Sequence, residues 1–134
     1  MFSKVLTSFC LFLSLFSFSC KEQNQSVVEM LTAQEMVDMM SQNDFPLVDV
    51  RTPEEFQEGA IKNAINMDFL SDSFEAQINN LDPNEPLIIY CKSGGRSNSC
   101  AMFLEKAGFV KVYNLVGGIS QWTNLGLPIV VPQD

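Results

Sequence analysis

No histidine occurs in this chain of 134 residues, so no imidazole can pair with a cysteine nucleophile. Cations are scarce too: eight Lys and Arg face sixteen Asp and Glu, for a formal net charge of −8. An acidic surface favours solubility and repels nucleic acid and anionic lipid headgroups, so no nucleic-acid partner is expected. A small anionic ligand must be drawn in by a local concentration of positive charge and backbone N–H groups. Cysteine stands at only four positions, 10, 20, 91 and 100, too few and too unequally surrounded to read as a disulfide framework. The chain has no internal repeat, low-complexity tract or second domain, and no cluster suggests a metal or cofactor. Its longest apolar stretch, Val5 to Phe18, is too short to span a bilayer comfortably.

That stretch follows Lys4 and ends at Ser17-Phe18-Ser19-Cys20, after which the chain turns polar with Lys21-Glu22-Gln23-Asn24-Gln25. The pattern reads as an export signal. It resembles a bacterial lipoprotein signal, in which cleavage precedes a cysteine that then carries lipid. The expectation is a leader over 1–19, lipidation at Cys20 and a polar linker over 20–26. The remaining domain, 27–134, is exported to the cell envelope. Lipid at Cys20 would be its only membrane contact, with the domain facing the periplasm or the exterior. An ordinary secretory signal with an incidental Cys20 is the alternative. Removing Lys4 with the leader leaves the rest one unit more negative.

Short apolar runs alternate with helical patterns along 27–134. Strands are predicted at Val27–Leu31, Leu47–Val50, Ala64–Met67, Leu87–Tyr90 and Val110–Leu115. Thr32-Ala33-Gln34-Glu35 and Thr52-Pro53-Glu54-Glu55 read as capping boxes, the second with proline at the first helical position. Met36, Val37, Met39 and Met40 form the apolar side of the first helix and read as core. Further helices are expected over Ser73–Leu81, Ser97–Ala107 and from Gly117-Gly118 onward, with Gly108 closing the one before. The fold class is α/β, a mostly parallel sheet of about five strands with helices on both faces. In open sheets of this kind ligands bind beyond the carboxyl ends of the strands.

Cys91 lies at such an end, followed by Lys92-Ser93-Gly94-Gly95-Arg96-Ser97. A cysteine between a buried strand and a glycine-rich helix start sits where unpaired N–H groups converge and favour a thiolate. Lys92 and Arg96 add positive charge, so Cys91 is expected to have a depressed pKa. The bland alternative is a buried structural cysteine, which needs neither glycines nor flanking cations. Cys100, one turn before Leu104, reads as a small buried residue, and Trp122 as a packing anchor over the sheet.

Four motifs stand in register: Leu47-Val48-Asp49-Val50-Arg51 with Glu55-Phe56; Gly59-Ala60-Ile61 with Ala64-Ile65-Asn66; Cys91 to Ser97; and Leu115-Val116-Gly117-Gly118-Ile119 with Trp122. With them the chain resembles a single-domain rhodanese. The resemblance implies a sulfurtransferase in which Cys91 accepts sulfane sulfur as a persulfide, from thiosulfate or another persulfide, and passes it to a thiol or cyanide-like acceptor. Lys92, Ser93, Gly94, Gly95, Arg96 and Ser97 would bind the small anionic donor, without a cofactor, in a monomer. Ala60 stands where the family commonly has His, so activation must come from amides and cations. Asp49, Arg51 and Glu55 are expected to be structural, with Arg51 bridged to Glu55 across the strand-to-helix turn. Ser97 is expected to bond a loop or helix amide.

Two other functions compete. A cysteine phosphatase or arsenate reductase usually has five residues between Cys and Arg, whereas four separate Cys91 from Arg96. A non-enzymatic binding or sulfur-sensing module is the third class, opposed by the retained cysteine and glycines.

Overall fold

The computed structural model describes residues 25–133. The expected leader, Cys20 and all of the expected linker but its last two residues lie outside the described residues. The elements run β1 (Val28–Leu31), α1 (Ala33–Gln42), β2 (Leu47–Asp49), α2 (Pro53–Glu58), β3 (Ile65–Asn66), α3 (Phe74–Ile78), β4 (Leu87–Tyr90), α4 (Gly95–Lys106), β5 (Val112–Leu115) and α5 (Gly118–Asn124). The five strands form one sheet in the order β1-β5-β4-β2-β3, and every neighbouring pair is parallel.

β4 sits at the centre of that order, and all four of its residues are buried. Strand alternation divides them between two cores. Leu87, Ile89 and Cys91 join Phe74, Cys100 and Leu104 on the face covered by α3 and α4. Ile88 and Tyr90 join Met36, Leu115 and Trp122 on the face covered by α1 and α5. Each fully buried Leu or Ile contributes roughly 1.5–3 kcal/mol relative to an exposed one, so β4 is anchored from both sides. The residue that ends it therefore has little freedom to move.

Both capping boxes form. The Thr32 and Thr52 hydroxyls accept the N–H of Glu35 and Glu55, and each glutamate returns a carboxylate to its threonine N–H. Trp122 packs under the α1–α5 layer and donates its indole N–H to Pro128 O at 2.9 Å. Several boundaries move from those expected, among them that of α3, which ends at Ile78 and not at Leu81. The third strand shortens to two residues, because β3 lies at the sheet edge and pairs with β2 alone. The last strand starts at Val112, since the N–H of Val110 is taken by Pro83 O. Helix α4 starts at Gly95, earlier than Ser97, because Gly94 caps it with φ 113°, a left-handed conformation that favours glycine.

Candidate active site

Cys91 follows the last residue of the central strand, and the chain then turns through Lys92, Ser93 and Gly94 into α4. The Gly94 N–H donates to Cys91 Sγ at 3.1 Å. The thiol is 1 % exposed, and burial by itself would raise its pKa. The balance falls the other way. The hydroxyl and N–H of Ser97, with the N–H groups of Gly94 and Ser93, hold the pKa below the ordinary thiol value. Ser97 is buried, and its single hydroxyl proton goes to Gly94 O at 3.2 Å or, with the hydroxyl turned, to the ionised Cys91. In the first position it grips a loop carbonyl, in contrast to the expected bond to an amide. Lys92, Ser93 and Gly95 are exposed.

A second turn seals the first from behind. The Ile119 N–H donates to Cys91 O at 2.9 Å, and the Ser120 N–H donates to Lys92 O at 3.0 Å. Gly118, at φ 57°, lies so close that a Cβ there would overlap both of those carbonyl oxygens. Its glycine is thus needed for contact between loops, a role the sequence reading limited to opening a helix. The adjacent glycines Gly117 and Gly118 were the available signal. From β5, buried Asn114 donates through Nδ2 to Asn98 Oδ1 at 2.7 Å and so ties the sheet to the first turn of α4.

The charged cluster is wired differently from the expected arrangement. Arg51 pairs with Asp49 at 2.6 Å, not with Glu55, and its Nη2 also donates to Gly59 O at 2.7 Å. Arg51 lies in a bend between β2 and α2, where its own N–H also donates to Asp49 Oδ1 at 3.0 Å, so the side chain is turned back toward Asp49. Asp49 and Arg51 are both buried, and both meet Tyr90. Glu55 instead reaches Arg96: Nη1–Oε2 is 2.6 Å and Nη2–Oε1 is 2.8 Å. The same Oε2 accepts the Thr52 N–H at 3.1 Å, so one carboxylate caps α2 and holds the loop arginine. The Arg96 side chain, backed by the Thr52 N–H, drives the Glu55 pKa down to about 2.

Arg96 is therefore not a free cation over the thiolate. Burial acts most strongly on Cys91 and raises its pKa, and the influences that bring it down are hydrogen bonds. Cys100 lies in the same core as Cys91 but is fully buried in mid-helix, and burial pushes its thiol up to about 12. Beside the loop, a cavity of about 210 Å³ is lined by Arg51, Glu55, Glu58, Lys92, Ser120 and Thr123 among others. The arrangement can hold a buried thiolate, stabilise a second sulfur anion attached to it, and admit a small molecule alongside.

A family model described as "Rhodanese-like domain" matches residues 32–125. A protein named "Sulfurtransferase" from Allochromatium vinosum is 37% identical over 90 residues, covering 67% of this chain and 82% of that protein. "Thiosulfate sulfurtransferase 16, chloroplastic" from Arabidopsis thaliana is 37% identical over 91 residues, with 60% and 76% of the two chains covered. The solution structure of a polysulfide-sulfur transferase homodimer from Wolinella succinogenes superimposes with a TM-score of 0.65 at 30% identity, covering 77% of this chain and 78% of that one.

Proposed function

The chain belongs to the rhodanese-like domain family, and on that premise we propose that it is a sulfurtransferase working through a Cys91 persulfide. The observation that carries this reading is the buried Cys91 sulfur at the mouth of α4, accepting the Gly94 N–H at 3.1 Å with its pKa depressed. The Cys91 thiolate attacks the outer sulfur of a donor such as thiosulfate or a persulfide. A new S–S bond forms on Cys91, the donor's S–S bond breaks, and sulfite or a thiolate departs with the electron pair. A thiol or cyanide-like acceptor then attacks the terminal sulfur and regenerates the thiolate. The N–H groups of Ser93, Gly94 and Ser97 stabilise both thiolate and persulfide, because each carries its negative charge at the same helix mouth. Lys92 supplies an exposed cation at the rim, and Gly95 leaves the start of α4 without a side chain. Asp49 and Arg51 brace the floor.

Two features favour this over a phosphatase. A phosphate ester needs the loop arginine turned to its oxygens, and both terminal nitrogens of Arg96 already meet Glu55. The four-residue spacing from Cys91 to Arg96 also leaves a tight cradle. For the intact chain the proposal extends to export and lipid attachment at Cys20, with the domain held at the cell envelope. Mass spectrometry of the mature protein before and after thiosulfate or an organic persulfide tests all of this. One added sulfur on Cys91 and an acylated N-terminal Cys20 are expected. Failure of every donor to add sulfur would overturn the transfer reading, and a mature chain starting elsewhere would overturn the lipid anchor.

A further inference from the structure

Resting on the sulfurtransferase reading, we propose that Glu55 determines donor choice, favouring singly charged persulfides over dianions such as thiosulfate. The argument is one of charge at close range. Arg96 is the cation that a loop of this shape would offer a dianion, yet Glu55 meets both its terminal nitrogens, at 2.6 and 2.8 Å. The pair stays closed through the neutral range, since the Glu55 carboxyl is held at about 2. Arg51 is likewise matched by Asp49 at 2.6 Å. Among the described residues Lys92 is then the loop's cation without an ion pair, and it is exposed. Against it stand the Cys91 thiolate and the Glu58 carboxylate on the cavity wall, while the closed Glu55–Arg96 pair adds no net positive charge.

Coulomb repulsion scales with the charge of the incoming donor, so each negative group costs a dianion twice what it costs a monoanion. A persulfide with an uncharged organic body bears a single negative charge, on the sulfur to be transferred. The cavity of about 210 Å³ beside Lys92 has room for that body. The chemical step balances for both donors. Thiolate plus RSS⁻ gives Cys91 persulfide plus RS⁻, and thiolate plus thiosulfate gives the same persulfide plus sulfite.

The test is Glu55→Gln, with the persulfide of 2-mercaptoethanol and thiosulfate as donors and cyanide as acceptor. Glutamine serves equally at the third position of a capping box and can still accept from Arg96, so α2 keeps its start. The expected result is a rise of roughly tenfold at low salt in the thiosulfate-to-persulfide ratio of kcat/KM, narrowing as salt is added. Arg96→Gln, which leaves Glu55 unpaired, should move the ratio the opposite way and serves if the first variant folds poorly. An unchanged ratio in both variants, with the two donors losing activity in step, would show that Glu55 merely props Arg96 and would overturn the inference alone. If neither donor places sulfur on wild-type Cys91, the transfer reading falls and this inference with it.

Discussion

The two described thiols make an instructive pair. Cys91 and Cys100 share one apolar core and are about equally inaccessible, at 1 % and 0 % exposure. Their pKa values nonetheless move in opposite directions, Cys91 downward and Cys100 up to about 12. Burial raises both. What separates them is their place relative to α4. Cys91 faces the helix mouth, where N–H groups have no carbonyl partner within the helix, whereas Cys100 sits in mid-helix, where they do. Reactivity at this site is therefore a property of unsatisfied backbone polarity and not of exposure.

The largest expected effect separates the pair outright. Cys91→Ser should abolish sulfur transfer while leaving the fold intact, since serine is nearly isosteric but holds neither thiolate nor sulfane sulfur. Cys100→Ala should retain transfer and lose roughly 1 kcal/mol of stability from the small void. Transfer kinetics beside urea unfolding of both variants checks this. Activity surviving in Cys91→Ser and vanishing in Cys100→Ala would reverse the assignment.

Next in size is the loop that backs the helix mouth. Gly118→Ala would push a methyl against the carbonyls of Cys91 and Lys92 and impose φ 57° on alanine. A loss of roughly a hundredfold in kcat is expected, because a displacement near 1 Å at reacting atoms can have that effect. The Cys91 pKa should rise as its N–H contacts loosen. Wild-type kcat in this variant would show that the second turn does not set the thiolate's position.

Ser97→Ala and Arg96→Ala grade the contributions to the thiolate. Ser97→Ala removes the hydroxyl and keeps the N–H, and since that hydroxyl is the strongest of the hydrogen bonds lowering the Cys91 pKa, the variant should shift the pH profile of Cys91 alkylation upward more than Arg96→Ala does. The smaller shift for Arg96 follows from its bond to Glu55. A larger shift for Arg96 would restore the loop cation as the dominant influence.

The smallest effect is on stability against pH, and its sign differs between the thiols. Cys91 has a depressed pKa, so its ionisation stabilises the fold fully above the ordinary thiol range, and this is lost as pH falls through the folded value. Cys100 has a raised pKa, so the fold is unaffected below the ordinary thiol range and loses stability as pH rises toward about 12. Urea midpoints from neutral to alkaline pH should show Cys100→Ala gaining on wild type as pH rises, and Cys91→Ser falling behind. Parallel curves would mean that the two environments do not differ as the structure indicates.

Much of this site was legible in the chain itself. The glycine-rich stretch between an apolar run and a helix pattern located Cys91 and the N–H groups around it. Thr-x-x-Glu placed the start of α2, because a capping box is completed by residues three apart. The partner of Arg51 was misread because the turn after β2 folds Arg51 back onto Asp49, two residues earlier, and the partner of Arg96 could not be read at all. Glu55 and Arg96 are 41 residues apart in sequence, and no local pattern connects them. Separation along the chain likewise hid the approach of Gly118 to Cys91, although two adjacent glycines marked the place.

By itself, then, the sequence determined the α/β alternation, the strand that ends at Cys91 and the turn that aims helix N–H groups at its sulfur. These depend on side-chain periodicity and backbone freedom, which act over a few residues. Tertiary structure decided how charge is distributed around the thiolate. It placed β2 beside β4 in the sheet, and so brought the carboxylate that caps α2 onto the arginine of the cysteine loop. Electrostatic pairing depends on separation in space, and in a parallel sheet the strands that become neighbours are set by crossovers many residues long.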